Sequence, residues 1–167
     1  YQVVNNYDEE KLSDVLFQYG ELRNAKAIAK KIIEKRSEHL IKTSFELKEV
    51  LSQFVPKAKE HKVLAQIFQG IRIEVNQEIE VLKEFLLQIP EILNDGGRLS
   101  VISYHSLEDR LVKRFIRSGI FEGEPEKDFY GNIQVPFKKG KLITPTQEEI
   151  RRNNRARSAK LRIATKL

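Results

Sequence analysis

The stretch "RLSVISYHSLEDRLVKRFIRS", residues 98–118, constrains the fold more than any other. "LSVIS" is short and branched, as a buried parallel strand is, and Gly96 and Gly97 before it suit a helix-to-strand turn. After the polar turn "SYHS", Ser106 and Asp109 have the spacing of a capping box. Leu107, Leu111, Val112 and Phe115 then supply the inner stripe of a helix. Upstream, "VLAQIFQGIRIEVNQEIEVLKEFLLQI" reads as one long helix from Val63 to about Pro90. Its apolar positions Ile67, Ile71, Val75, Ile79, Leu82 and Phe85 drift around a face wide enough to cover a sheet. Helix, strand, helix is the rhythm of an α/β layer.

Residues 8–62 predict a small helical unit. Asp8 can cap a helix carrying Leu12, Val15 and Leu16, which Gly20 closes. In "ELRNAKAIAKKIIEKRSEH", Leu22, Ala25, Ile28, Ala29, Ile32 and Ile33 form one stripe, with lysines elsewhere. Thr43 and Glu46 make a capping box for a third helix, with Pro56 after its end. Beyond the 98–118 stretch, residues 119–145 read as an irregular excursion. "TPTQEEIRR" reads as a short helix capped by Thr144 or Thr146, and "SAKLRIATKL" alternates like a strand added at the end of the sheet. One or two strands cannot make a stable sheet. The chain opens on Tyr1 and contains no Met, so it is expected to be a fragment whose other strands lie upstream.

Charge is distributed unevenly. The whole chain is +6, whereas the segment from Arg151 onward holds seven Lys and Arg and no Asp or Glu, which leaves −1 for residues 1–150. A local basic patch is the footprint of a polyanion, nucleic acid first, although Lys and Arg also guard edge strands. Zero Cys excludes thiolate chemistry and fits a reducing cytoplasm. The scattered His39, His61 and His105 lack metal spacing, and no run approaches the ~20 apolar residues of a membrane span.

Two readings of the "SYHS" turn stay open. Ligands of open α/β sheets bind outside the carboxyl ends of strands, which makes Ser103, Tyr104, His105 and Ser106 a pocket wall beside Glu108, Asp109 and Arg110. Alternatively Ser106 is an N-cap, and the acids favour the helix dipole. Gln69, Arg72, Asn76 and Glu80 fall near one helical face, either as a polar stripe or as part of a site.

Together "VISYHSLEDRLVK", "FQGIRIEVNQEIE" and "RRNNRARSAKLR" resemble the signature segments of the MraW family, S-adenosyl-L-methionine-dependent methyltransferases of a cytidine N4 in 16S ribosomal RNA. The resemblance implies an α/β fold, mainly helical here. An all-helical insert over 1–62, used in RNA recognition, is followed over 63–167 by the C-terminal part of a class I (Rossmann-like) methyltransferase domain. It implies that the S-adenosyl-L-methionine motifs belong to an absent N-terminal half, that no residue of this chain binds cofactor or metal, and that the fragment is inactive alone. It points to His105 and Ser103 as catalytic. Arg72, Asn76, Tyr104, Ser106, Arg155, Arg157, Ser158 and Lys160 would bind substrate or RNA. The implied partner is 16S ribosomal RNA in the small ribosomal subunit, in the cytoplasm. Gly70, Gln77 and Asn154 depart from the family's usual Ala, Asp and Pro. A non-catalytic RNA-binding module and a helical protein-interaction domain are the alternatives.

Overall fold

Local signals in the N-terminal region become helices: α1 (Gln2–Asn6), α2 (Glu9–Gln18), α3 (Ala25–Glu38), α4 (Ser44–Ser52) and α5 (Glu60–Asn76). A computed structural model describes residues 1–52, 55 and 57–167; Pro56 lies outside them. The Asp8 carboxylate caps α2 by accepting from Lys11 N at 2.7 Å. The expected box at α4 forms, with Thr43 Oγ1 accepting from Glu46 N at 3.1 Å and Glu46 Oε2 accepting from Lys42 N at 2.6 Å. The Lys42 N–H is the main reason the Glu46 carboxyl sits below its usual pKa.

Leu12, Leu16, Ile28, Ala29, Ile32, Leu47, Leu51, Leu64 and Ile67 form one apolar core in the unit Tyr1–Glu78. Two backbone devices complete it. Asn5 lies in α1, a helix the sequence pattern does not announce. Its amide donates to Ile41 O at 2.7 Å and accepts from Ile41 N at 3.0 Å, tying α1 to the loop between α3 and α4. Where α2 ends, Gly20 and Gly70 touch: a Cβ on Gly70 would lie 3.0 Å from Gly20 N, and one on Gly20 would lie 2.6 Å from Leu16 O.

The run expected to be one helix from Val63 to about Pro90 is two. Gln77 takes a left-handed conformation, φ 52°, and its N–H turns back to Glu74 O and Ile73 O. A new helix, α6 (Glu78–Ile92), follows and continues through Pro90. So α5, expected to cover a sheet, instead contributes Leu64 and Ile67 to the helical core. Val75 and Phe85, read as core-facing, are 60% and 47% exposed.

In the unit Ile79–Leu167, β1 (Arg98–Ser103), β2 (Phe137–Ile143) and β3 (Lys160–Lys166) form a sheet in the order β1-β3-β2. With α7 (Ser106–Ser118) and α8 (Gln147–Arg152), this is a mixed α/β unit. Both pairings are antiparallel. This corrects three expectations. β1 pairs with an antiparallel neighbour, and its alternating burial marks a one-sided strand, not a fully buried one. The final strand lies between the other two, with Leu161, Arg162, Ala164 and Thr165 in register with partners on both. The region 119–145 contains β2, hidden from pattern reading by a bulge. Lys139 faces Ala164 and Leu142 faces Arg162, so Gly140 and Lys141 together oppose Ile163. Gly is needed there, since a Cβ on residue 140 would lie 2.7 Å from Ile163 O.

The core of this unit joins Leu86 and Ile89 of α6 to Leu99, Val112, Phe115, Ile116, Phe137 and Ala164. Phe115 stacks on Phe121 with ring centroids 5.2 Å apart. Among the described residues no helix is long and apolar enough to cross a membrane.

Candidate functional site

The turn "SYHS" joins the carboxyl end of β1 to α7, and its cap differs from the expected one. His105, not Ser106, is the N-cap: its Nδ1 accepts from Leu107 N at 3.3 Å. Glu108, not Asp109, closes the box, accepting through Oε2 from Tyr104 N at 3.2 Å and His105 N at 3.3 Å. With Nδ1 used as acceptor, the neutral imidazole carries its hydrogen on Nε2, so the ring's other nitrogen is a donor. Tyr104 is 58% exposed and Ser106 is exposed at the first helical position, whereas Ser103 is buried and pairs in register with Lys160.

Asp109 is thereby released from capping and turns to β3. It accepts from Arg162 Nε at 2.6 Å and Arg162 Nη2 at 3.1 Å, and from Lys160 Nζ at 3.1 Å. Asp109 and Arg162 are both buried. Burial pushes the Asp109 carboxyl up, and the Arg162 and Lys160 bonds outweigh it, leaving the group below its ordinary pKa. Sequence reasoning assigns Asp109 to the helix dipole and counts Arg162 only as charge. A polar pair at i and i+53 leaves no local signal.

The basic end divides according to its partners. Lys160 and Arg162 hold Asp109, Lys166 Nζ lies 3.4 Å from Asp95 and donates to Leu93 O at 2.7 Å, and Arg152 pairs with Glu148. The 3-10 turn Asn154–Ser158 precedes β3, pinned by buried Ala156 and by Asn153 Oδ1 accepting from Arg155 N at 3.1 Å. Arg155, Arg157 and Ser158 are exposed on it. Among the described residues, Arg151, Arg155 and Arg157 have no ion pair. In the helical unit, Arg72 and Asn76 meet at Glu78: Arg72 Nε lies 2.9 Å from Oε1 and its Nη2 3.0 Å from Oε2, and Asn76 Nδ2 donates to Oε1 at 2.9 Å. Arg72 and Asn76 thus form a cluster closing the turn at Gln77, whereas Gln69 Nε2 donates to Tyr19 O at 3.0 Å and Glu80 pairs with Lys83 at 2.9 Å.

Set on this geometry, the family model described as MraW methylase family matches residues 1–167. The chain belongs to the MraW methylase family. It is 65% identical to ribosomal RNA small subunit methyltransferase H of Flavobacterium johnsoniae, the match covering 100% of this chain and 56% of that protein. It is 64% identical to the protein of that name from Christiangramia forsetii, again over 100% of the chain and 56% of the relative. The one from Parabacteroides distasonis is 51% identical, over 99% of the chain and 55% of the relative. The chain spans about half the length of the curated relatives it matches.

The methyl donor implied by the MraW resemblance needs a backbone cradle, and the described residues do not offer one. The β1–α7 junction carries side chains in place of glycine, and the glycines with positive φ, at 96, 119, 123 and 131, open no helix after a strand. Among the described residues no group of His, Asp and Glu is arranged to hold a metal ion.

Proposed function

We propose that this MraW chain is the C-terminal part of an S-adenosylmethionine-dependent methyltransferase that modifies N4 of a cytidine in 16S ribosomal RNA of the small ribosomal subunit. The observation that carries the reading is the family match across residues 1–167, with close relatives named ribosomal RNA small subunit methyltransferase H. The cofactor's contacts are assigned to the whole protein outside this chain. The residues here take the acceptor side.

Cytosine N4 is a poor nucleophile because its lone pair is delocalised into the ring. The base must therefore be held so that the amine faces the methyl group and can lose a proton. His105, with a donor at Nε2, suits the ring acceptors of cytosine and orients the base. The exposed Tyr104 ring suits stacking on an unpaired base, and Ser106 adds a hydroxyl beside it. Ser103, buried at the end of β1, is a positioning residue for this turn. Arg155, Arg157 and Ser158 hold RNA backbone. Lys160, whose ammonium is engaged by Asp109, fixes the 3-10 turn relative to α7. Arg72 and Asn76 contact RNA from the helical unit, whose residues 1–62 serve as an RNA-recognition insert.

The test is methyl transfer by the whole protein to small ribosomal subunits, followed by nucleoside mass spectrometry. The expected product is N4-methylcytidine. Methylation at another atom overturns the base assignment, and RNA binding without any transfer returns the non-catalytic RNA-binding reading.

A further inference from the structure

Cations without an acidic partner among the described residues gather in the cleft between α7 and β2. Lys113 and Arg117 stand one turn apart on α7, and Lys139 and Lys141 flank Gly140 on β2, with Arg162 as an end wall. Arg162 is engaged by Asp109. Among the described residues, the other four have no ion pair and all are exposed. Lys139 and Lys141, two residues apart on β2, line the same cleft. Four like charges around one hollow repel one another, and a polyanion relieves that repulsion. The open volume is about 20 Å³, room for one oxygen-sized atom. A protruding phosphate oxygen fits there, and a nucleobase does not.

We propose that this cleft is a second phosphate site for RNA, separate from the arginines of the 3-10 turn Asn154–Ser158. β3 links the two. Lys160 leads from that turn and Arg162 walls the cleft, and Asp109 bonds both. The ligand chemistry is a phosphodiester oxygen of single-stranded RNA, and the inference rests on the RNA-methyltransferase reading above.

The experiment measures binding of a short labelled single-stranded RNA to the whole protein as salt is raised. Lys113→Gln/Arg117→Gln and Lys139→Gln/Lys141→Gln should each flatten the slope of log affinity against log salt by roughly 0.7 for every phosphate that is no longer neutralised. Their effects should add to that of Arg155→Gln/Arg157→Gln. These exposed, unpaired side chains should leave the melting temperature unchanged; where a double variant melts lower, the single variants Lys113→Gln and Lys139→Gln are read instead. If only the Arg155/Arg157 variant flattens the slope, the cleft is not a site and the RNA reading stands. If the unaltered protein binds RNA without salt dependence, the RNA reading itself fails. If pyrophosphate raises the melting temperature through these four residues while their RNA slope is unaltered, the cleft takes free phosphate and the RNA assignment is overturned.

Discussion

Arg162 grips Asp109 with two hydrogen bonds, Nε to Oδ1 at 2.6 Å and Nη2 to Oδ2 at 3.1 Å, inside the interface between β3 and α7. Removing one member of a buried pair strands the other, which costs about 3–5 kcal/mol. Asp109→Asn should therefore lower the melting temperature of the whole protein at neutral pH. Because the folded pKa of Asp109 is depressed, its stabilisation is present above the unfolded carboxylate value of about 4 and is lost as pH falls through the lower folded value. The melting curves of Asp109→Asn and the parent should converge only in that acid range. A gap that persists below it would place the effect elsewhere.

His105 combines a structural bond with a proposed role toward the base, and two substitutions separate them. Asn caps helices as well as the best residues do, whereas Ala forfeits about 1 kcal/mol. His105→Asn should keep the melting temperature and lose turnover by about 10²-fold, the low end for a lost proton-handling or hydrogen-bonding group. His105→Ala should lose both. Full methyl incorporation by His105→Asn would leave His105 as a cap alone.

Arg155 and Lys160 stand close in sequence and should respond oppositely. Arg155→Gln or Arg157→Gln should flatten the salt dependence of RNA binding by roughly 0.7 each with unchanged melting. Lys160→Gln removes a half-exposed partner of Asp109 and should lower stability by about 1 kcal/mol or less, leaving the slope alone. Salt titration and thermal melts on the same three proteins check both halves.

The close approach of Gly20 and Gly70 leaves no room for a side chain. Gly20→Ala puts a methyl group 2.6 Å from Leu16 O, and the backbone must move. Overpacking of this kind costs about 1–3 kcal/mol, readable as a lower urea midpoint for the helical unit. An unchanged midpoint would mean that the end of α2 shifts freely.

Much of the helical architecture is legible in the sequence because its causes are local. The Asp8 cap, the Thr43–Glu46 box and the stripe of α3 each lie within one or two turns of chain. The break at Gln77 is not legible: apolar spacing continues across it, and the left-handed residue is held by Glu74 O and by Glu78 gathering Arg72 and Asn76. At the site, "SYHS" is legible as a strand-to-helix junction, but its frame is displaced by one residue. Ser is a favoured N-cap, so Ser106 attracts the assignment. Arg162, distant in sequence, draws Asp109 away and leaves Glu108 to close the box around His105. β2 escapes for a similar reason. Its bulge breaks the alternation, and its partner β3 lies beyond a helix and a 3-10 turn.

The order β1-β3-β2 also imposes a sequence of events during synthesis. β1 and β2 each pair with β3 and not with each other, so neither acquires a partner in this sheet until residues 160–166 have left the ribosome. At about 5–20 residues per second, β1 waits several seconds for its neighbour. The helical unit, whose core is complete by Ile67, can close well before then. A nascent chain therefore carries a finished helical unit while the β3-facing edges of β1 and β2 are still unpaired, and β3 is the element whose arrival closes those two edges.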